Sequence, residues 1–143
     1  MLVRLIYCSR AVPAVDAEEL QAILKTARAN NAWLGIIGVL CLVDGYFVQV
    51  LEGGRAAVNR LYNQLVVDGR HGEVTLLGYE EIAERRFAGW AMGQANMARL
   101  NPALLLKYSE STTLDPYALG APAMTALFDE LVATAAIMCG GTP

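Results

Sequence analysis

The first two thirds of the chain alternate between short apolar runs and segments whose apolar residues recur every three or four positions. The run Leu2–Cys8 is rich in branched and aromatic residues, which predicts a strand whose alternate side chains share one face. Asp16 then stands three residues before Glu19, a helix-capping arrangement, and apolar residues follow at helical spacing. The pattern therefore predicts a strand followed by a helix that fades at Asn30-Asn31.

Two further apolar runs, Leu34–Val43 and Tyr46–Leu51, are separated only by Asp44-Gly45. An Asp-Gly pair between such runs is a strong β-hairpin signal, because both residues tolerate the positive φ angles of a tight turn. Apolar residues at helical spacing come next. These segments predict a hairpin followed by a second helix.

The second helix is predicted to end at Asp68-Gly69. Beyond it we predict a strand at Val74–Tyr79, a charged connection at Glu80–Arg86, and the approach to a fifth strand at Phe87–Met92. The order is β-α-β-β-α-β-β, an α+β, ferredoxin-like arrangement with a five-stranded mixed sheet and two helices on one face. In this arrangement the first and third strands lie side by side at the centre of the sheet.

The chain changes character after Asn101-Pro102, where LLLKYS at 104–109 leads towards a segment of helical spacing at Met124–Met138. The apolar residues of that last segment are Leu127, Phe128, Leu131, Val132 and Ala135. We predict one domain over residues 1–97 and a C-terminal helical extension over residues 98–143 that is part of the same compact unit.

The composition is unusually apolar, since 55% of the 143 residues are hydrophobic and only 17% are charged. The internal uncharged stretch Ala32–Val43 is nevertheless shorter than the roughly twenty residues that a membrane span requires. The N-terminus lacks the apolar region of a signal peptide, and a net charge of −3 leaves no basic stripe for a phosphate backbone. We expect a cytoplasmic protein that binds neither membrane nor nucleic acid.

Cysteine, histidine and motif usage exclude several kinds of site. Cys8, Cys41 and Cys139 are far apart, which predicts reduced, buried thiols rather than disulfides or metal ligands. The chain has one histidine, His71, which excludes a multi-histidine metal site. It also contains no phosphate-binding loop, nucleophile elbow or metal-ligand spacing. We therefore expect neither a metal ion nor enzymatic turnover.

One polar residue stands where an apolar residue would be ordinary. Gln49 lies mid-strand between two large apolar neighbours, and Tyr7 is its natural counterpart on the adjacent first strand. An unpaired buried amide would cost about 1–3 kcal/mol, so a buried Gln49 requires a partner. Taken singly, Gln49 could face water or pair with the backbone, and Tyr7 could be an ordinary core residue.

The other candidates have ordinary explanations when each is taken alone. Asn30-Asn31 can terminate a helix, because Asn tolerates left-handed backbone angles. Trp90 and Met92 share one face of a presumed strand, where such residues usually pack in the core. No single motif therefore specifies a function.

Five motifs nevertheless occur in a fixed order: Tyr7 in RLIYCS, Asn30-Asn31 before Gly35-Ile36-Ile37-Gly38, Gln49 in GYFVQVLEG, Asp68-Gly69-Arg70-His71, and RRFAGWAM containing Trp90 and Met92. In this order they resemble the BLUF family of flavin-binding blue-light sensors. The resemblance covers residues 2 to about 97. The segment LLLKYS and the helix after it also resemble short BLUF proteins of the PixD type.

The resemblance implies that the ring of a flavin lies between the two helices over the sheet. The implied flavin is FAD, with FMN and riboflavin as alternatives. The residues implied to bind it are Ile23, Ala27, Asn30, Asn31, Gln49, Leu65, Asp68, Arg70 and His71. The apolar members would wall the ring and the amides would bond its polar edge. The residues at 68–71 would lie towards that edge or towards the ribityl phosphate.

The implied function is a hydrogen-bond switch. Light drives an electron and a proton from Tyr7 to the flavin, and Gln49 rotates or tautomerises between them. A changed donor then reaches the flavin and shifts its absorption to the red. The new pairing passes to the strand that bears Trp90 and Met92, and from there to the tail.

The resemblance further implies signalling through an unidentified downstream protein partner, and we expect a homo-oligomer. The apolar tail helix, or the sheet face that it covers, is the predicted association surface. The alternative from another class is a light-independent, ferredoxin-like module that binds a small ligand or assists assembly. A flavin oxidoreductase is disfavoured, because nothing in the chain resembles a nicotinamide site.

Overall fold

The computed structural model describes residues 1–89, 91–95 and 100–134, together with the backbone of residues 137–138. The elements are β1 (Leu2–Ala11), α1 (Ala17–Trp33), β2 (Ile37–Val43), β3 (Tyr46–Gly54), α2 (Arg55–Val67), β4 (His71–Ile82), β5 (Gly93–Ala95), α3 (Pro102–Tyr108), α4 (Ala121–Ala133) and β6 (Ile137–Met138). Among the helices described, none has the length and apolar character needed to cross a membrane.

The strands form one sheet in the order β4-β1-β3-β2-β5-β6. The pairing of β2 with β5 is parallel, and the other neighbours are antiparallel. The predicted α+β, ferredoxin-like fold with a mixed sheet is confirmed, and the predicted strands occupy its first five places. The two-residue strand β6 extends the sheet beyond β5.

The predicted hairpin joins β2 to β3. Asp44 has a φ of 49° and Gly45 a φ of 81°, as a tight two-residue turn of the mirror-image type requires. This turn places Val43 opposite Tyr46 and continues the register along both strands. A local turn signal therefore fixes which side chains of β3 face each side of the sheet.

The sheet separates two apolar cores. Helices α1 and α2 cover the face that carries Tyr7, Phe47 and Leu51. The other face carries Ile6, Val48 and Val50 and is covered by residues of α3 and α4, chiefly Leu105, Met124, Leu127, Phe128 and Leu131. Leu127, Phe128 and Leu131 of the tail helix are thus buried within the chain itself, and the predicted role of that helix in association stays a prediction.

A glycine allows α4 to lie close to the sheet. A Cβ added at Gly78 of β4 would lie 2.5 Å from the Cβ of Ala121, the first residue of α4. Because no side chain stands there, the helix can approach the strand directly.

Several predicted boundaries are wrong. Helix α1 does not fade at Asn30-Asn31 but continues to Trp33, and the Asn31 carbonyl then accepts the N–H groups of Leu34 and Ile36. Strand β4 is longer than predicted at both ends, since it begins at His71 and includes the first residues of the supposed charged connection. Charges are tolerated there because β4 is an edge strand with one side open to solvent.

The tail helix was predicted to reach Met138, but α4 ends at Ala133. At this end the backbone N–H and the hydroxyl of Thr134 both donate to the Glu130 carbonyl. Strand β5 begins directly after the predicted approach segment. Trp90, Cys139 and the predicted domain boundary at residue 97 lie outside the described residues, whereas Cys8 and Cys41 are buried as predicted.

A buried carboxylate ties the centre of the sheet to the segment before β5, which runs from Arg86 to Met92. Glu52 is completely buried and accepts a hydrogen bond from Arg4 Nε at 2.8 Å. It also accepts the backbone N–H groups of Arg86 at 3.0 Å and Phe87 at 2.8 Å. Since a buried charge is tolerated only when it is well paired, Glu52 holds this segment against β3.

Glu52→Gln is expected to lower the free energy of unfolding by about 3 kcal/mol, because it leaves the buried Arg4 guanidinium without its buried partner. Glu80→Gln is the matched control, since Glu80 also binds Arg4 at 2.8 Å but its side chain is 61% exposed, and its loss should cost about 1 kcal/mol or less. Urea denaturation measures both changes. Equal effects of the two substitutions would contradict the assigned role of Glu52.

Candidate functional site

A cavity of about 230 Å³ lies between α1 and α2, over the face of the sheet that carries Tyr7 and Gln49. All nine residues that the sequence assigns to ligand binding line it, namely Ile23, Ala27, Asn30, Asn31, Gln49, Leu65, Asp68, Arg70 and His71. Residues from four separate elements and one loop thus meet in one place. The cavity is the candidate functional site.

The two helices provide the walls of the cavity. Ile23, Ala27 and Asn30 follow one another at intervals of four and three residues on α1, which places them on one helix face. Leu61 and Leu65 do the same on α2. The walls are therefore mainly apolar, with amide side chains at the end of α1.

The floor of the cavity is a buried polar pair. Tyr7 of β1 lies directly opposite Gln49 of β3, and its hydroxyl donates a hydrogen bond to Gln49 Oε1 at 2.5 Å. The amide nitrogen Nε2 of Gln49 donates in turn to the Sδ of Met92 at 3.3 Å. Gln49 is 6% exposed and Tyr7 1%, so Gln49 neither faces water nor depends on the backbone for these two bonds.

Burial governs the protonation of the floor. It raises the pKa of Tyr7 far above the ordinary value of a phenol, and the nearby Tyr62 and Asp68 add to the shift. Tyr7 is therefore a neutral phenol over the whole physiological range. It is a hydrogen-bond donor towards Gln49, whose carbonyl oxygen accepts.

Asp68 and Arg70 form a charged pair at the rim of the cavity. The guanidinium Nη2 of Arg70 lies 2.7 Å from Asp68 Oδ2, and these bonds lower the pKa of Asp68 to about 2. The Arg70 side chain is 59% exposed, so the pair contributes little to stability. It gives the rim one fixed negative and one fixed positive charge.

His71 closes the cavity beside Tyr7. Its Nδ1 lies 2.8 Å from the Ser9 hydroxyl, and its ring packs against Phe47 with centroids 5.0 Å apart and edge-on to Tyr7 at 6.1 Å. Burial lowers the pKa of His71, an effect that Asp68 opposes and Arg70 reinforces. The imidazole is therefore neutral near pH 7.

Several lining residues were not predicted from the sequence. They are Thr26, Leu34, Leu40, Phe47, Leu61 and Gln64. Phe47 could have been found, because it alternates with Gln49 on the same face of β3. Leu34 could not, because it lies beyond the predicted end of the helix.

The two remaining predicted residues belong to the segment before β5. Met92 is completely buried, contacts Gln49 and belongs to the same core as Tyr7. Trp90 lies outside the described residues. Within the described ranges, no three His, Cys, Asp or Glu side chains come together as a metal site would require.

The fold is that of an α+β domain with a cavity for a small molecule between two helices and a sheet. The sequence model of the BLUF family, sensors of blue light using FAD, matches residues 2–93. The chain belongs to this family, as its motifs predicted. Because the family is one of sensors, the matched part of the chain is a sensory domain and not an enzyme domain.

Similar proteins agree with this assignment. The photoactivated adenylate cyclase subunit beta of Euglena longa is 39% identical over 95 residues, which are 66% of this chain and 11% of that protein. The structure of BlsA in its photo-activated state has a TM-score of 0.81 at 32% identity and covers 92% of this chain and 95% of its own. The dark-state structure of BlrB, a BLUF protein, has a TM-score of 0.77 at 31% identity, with 94% and 96% covered. The chain spans about a tenth of the length of the curated relatives it matches.

Lowering the pH from 7 to 5.5 is expected to lower the free energy of unfolding. The pKa of His71 is lowered in the folded protein, so the unfolded chain binds more protons in this range. The free energy of unfolding therefore decreases as the pH is lowered. Asp68 stays ionised throughout, and the chain has no second histidine. Urea denaturation at the two pH values measures the effect.

His71→Gln is the test of this assignment, because glutamine can still bond Ser9 but does not titrate. The pH dependence between 7 and 5.5 should largely disappear in this variant. A variant that keeps the wild-type dependence would show that another group causes it.

Proposed function

We propose that this chain is a blue-light sensor that binds an oxidised flavin, FAD in the first place, in the cavity between α1 and α2. It signals by a change of hydrogen bonding and not by turnover of a substrate. The observation that carries the proposal is the buried series Tyr7–Gln49–Met92 on the cavity floor. An oxidisable phenol lies there in contact with an amide whose oxygen and nitrogen can exchange places by rotation.

The residues of the cavity suit a flavin ring. Such a ring is flat and largely apolar on its faces, and its polar edge carries carbonyl and N–H groups. The apolar walls would cover the faces, and the amides of Asn30, Asn31 and Gln49 can both donate and accept along the edge. A mainly apolar cavity with a few convergent polar groups is the usual form of a cofactor site.

The size of the cavity argues that only the ring lies inside. At about 230 Å³ it is smaller than the roughly 300–1,000 Å³ of sites that enclose a whole drug-sized ligand. The ribityl chain would leave at the rim, where Asp68 and Arg70 lie. FMN and riboflavin share the ring, so they would occupy the same cavity.

A bound flavin supplies the absorption of blue light and, once excited, a strong oxidant. Tyr7 would give up one electron together with its phenolic proton, which points at Gln49 Oε1. Both return to Tyr7 afterwards, so the cycle produces no net oxidation. The chain ends with the same atoms and electrons, and only the orientation or tautomer of the Gln49 amide has changed.

Gln49 can store the change because its two ends are nearly equal in shape and opposite in hydrogen bonding. In the orientation described, Oε1 accepts from Tyr7 and Nε2 donates to Met92. Rotation would bring Oε1 towards Met92 Sδ, and two acceptors would then face one another. Loss of this contact would pass the signal from the cavity to the segment before β5.

We propose that the signal passes on to a protein partner and that the chain acts as a homo-oligomer. The Euglena relative is by its name a photoactivated adenylate cyclase, so a domain of this family can accompany an effector activity. The segment before β5 contacts both Gln49 through Met92 and α4 through Phe87, which stacks edge-on with Phe128. It therefore offers a route from the cavity to the opposite face.

The purified protein is expected to be yellow and to show a small, reversible red shift of its absorption after blue illumination. Tyr7→Phe should still bind flavin but lose this shift, because it removes the hydroxyl that bonds Gln49. Tyr62→Phe is the matched control, since its ring centroid lies 5.9 Å from that of Tyr7 in the same region, and it should keep the shift. Absorption spectra before and after illumination measure all three proteins.

A protein that stays colourless with excess FAD, or that binds flavin but shows no red shift after illumination, would contradict the proposal. It would favour the light-independent ligand-binding module instead. A normal photocycle in Tyr7→Phe would refute the role of Tyr7 alone. Steady oxidation of NAD(P)H with an added acceptor would point to an oxidoreductase.

A further inference from the structure

Strand β5 makes few backbone pairs in the described part of the chain. Gly93 pairs with Val39 and Gln94 with Leu40 of β2. On the other side, the pairs described are those of Gln94 and Ala95 with β6. Side-chain contacts from outside the sheet therefore add to the attachment of β5.

Helix α1 supplies two such contacts. Gln21 Nε2 donates to Gln94 Oε1 at 2.9 Å, and Arg28 Nε donates to the backbone carbonyl of Met92 at 2.9 Å. The two residues are seven positions apart, close to two helical turns, so they lie on one face of α1. The helix that walls the cavity is thereby bonded to the segment at β5.

Met92 is held from two directions. Its carbonyl accepts from Arg28, and its Sδ accepts from Gln49, which also bonds Tyr7. The side chain is completely buried, so it cannot exchange either contact for water. The position of the Met92 backbone consequently decides whether Sδ lies within reach of the Gln49 amide.

We propose that Arg28 is a positioning residue that holds Met92 against Gln49 in the dark state. Together with Gln21 it forms a clamp between α1 and β5. The inference rests on the proposed function, because it is the Gln49 amide that gives the position of Met92 a role in signalling. Arg28 acts through Met92 and is not among the residues that line the cavity.

The chemistry of the contact favours arginine at this position. The guanidinium of Arg28 is partly buried and always charged, so its bond to a carbonyl is stronger than one between neutral groups. Its planar N–H groups also fix the direction of approach. Lysine would keep the charge and a donor but not this geometry, and glutamine would lose both the charge and the reach.

The test compares Arg28→Gln and Arg28→Lys with Lys25→Gln, all in the flavin-loaded protein kept in the dark. Lys25 is an exposed cation one turn earlier on α1, so its substitution makes the same change of charge. Hydrogen exchange of the Gln94 and Ala95 amides reports the attachment of β5. The ¹³C signal of the Met92 methyl group, assigned with Met92→Leu, reports its contact with Gln49.

Arg28→Gln is expected to speed exchange at β5 about tenfold, as loss of one charge-assisted hydrogen bond should, without changing exchange in β1 and β3. The Met92 signal should move in the dark towards the position that it takes in the illuminated wild type. Arg28→Lys should restore part of both effects, and Lys25→Gln should change neither.

Wild-type exchange at β5 and a wild-type Met92 signal in Arg28→Gln would overturn the inference. Faster exchange throughout the sheet would also overturn it, because that result would assign Arg28 a general structural role. Failure of the proposed function has a different signature, namely a wild type whose Met92 signal does not change with light. The exchange measurement stands in either case, since it is made in the dark.

Discussion

The antiparallel register between β1 and β3 is the constraint on which the rest of the structure depends. It places Tyr7 opposite Gln49 on the face towards α1 and α2, and it places Arg4 opposite Glu52 on the other face. The two pairs are three positions apart, an odd number, so they must lie on opposite faces. A slip of one residue would exchange the faces and bury the charged pair under the helices, which makes this register strongly specified.

The same register brings both pairs to bear on one segment. Glu52 accepts the N–H groups of Arg86 and Phe87 at the start of that segment, and Gln49 donates to Met92 near its end. Phe87 meanwhile packs on Phe128 of α4. A single stretch of chain contacts the cavity floor, the buried ion pair and the far core, so a change at Gln49 has a physical path across the sheet. Because Glu52 holds Arg86 and Phe87 in place, a displacement of Met92 would leave the start of this stretch fixed.

A feature could be predicted from the sequence when it depends on residues that are close together along the chain. The hairpin at Asp44-Gly45 and the alternation around Gln49 are local, and the sequence predicted both. Six of the nine cavity residues came from motifs whose order resembles a family, and Ile23, Ala27 and Leu65 came from their positions on the two helices under that resemblance; all nine line the cavity. The end of α1 depends instead on bonds from Leu34 and Ile36 to the Asn31 carbonyl. The bond from Arg28 to the Met92 carbonyl joins residues far apart in the chain, and no periodic pattern gives a signal for it.

The apolar surplus of the chain has its explanation in the two-sided sheet. Both faces are covered by helices, so most residues of β1 and β3 are buried whichever way they point, and two cores account for a composition of 55% hydrophobic residues. The polar groups are divided unequally between these cores. The α4 side buries the Arg4–Glu52 pair, fully bonded, whereas the α1–α2 side keeps a cavity and an amide that can exchange its partners. Under the proposed function, stability and switching belong to opposite faces of one sheet, and the segment before β5, which contacts both, is where one can influence the other.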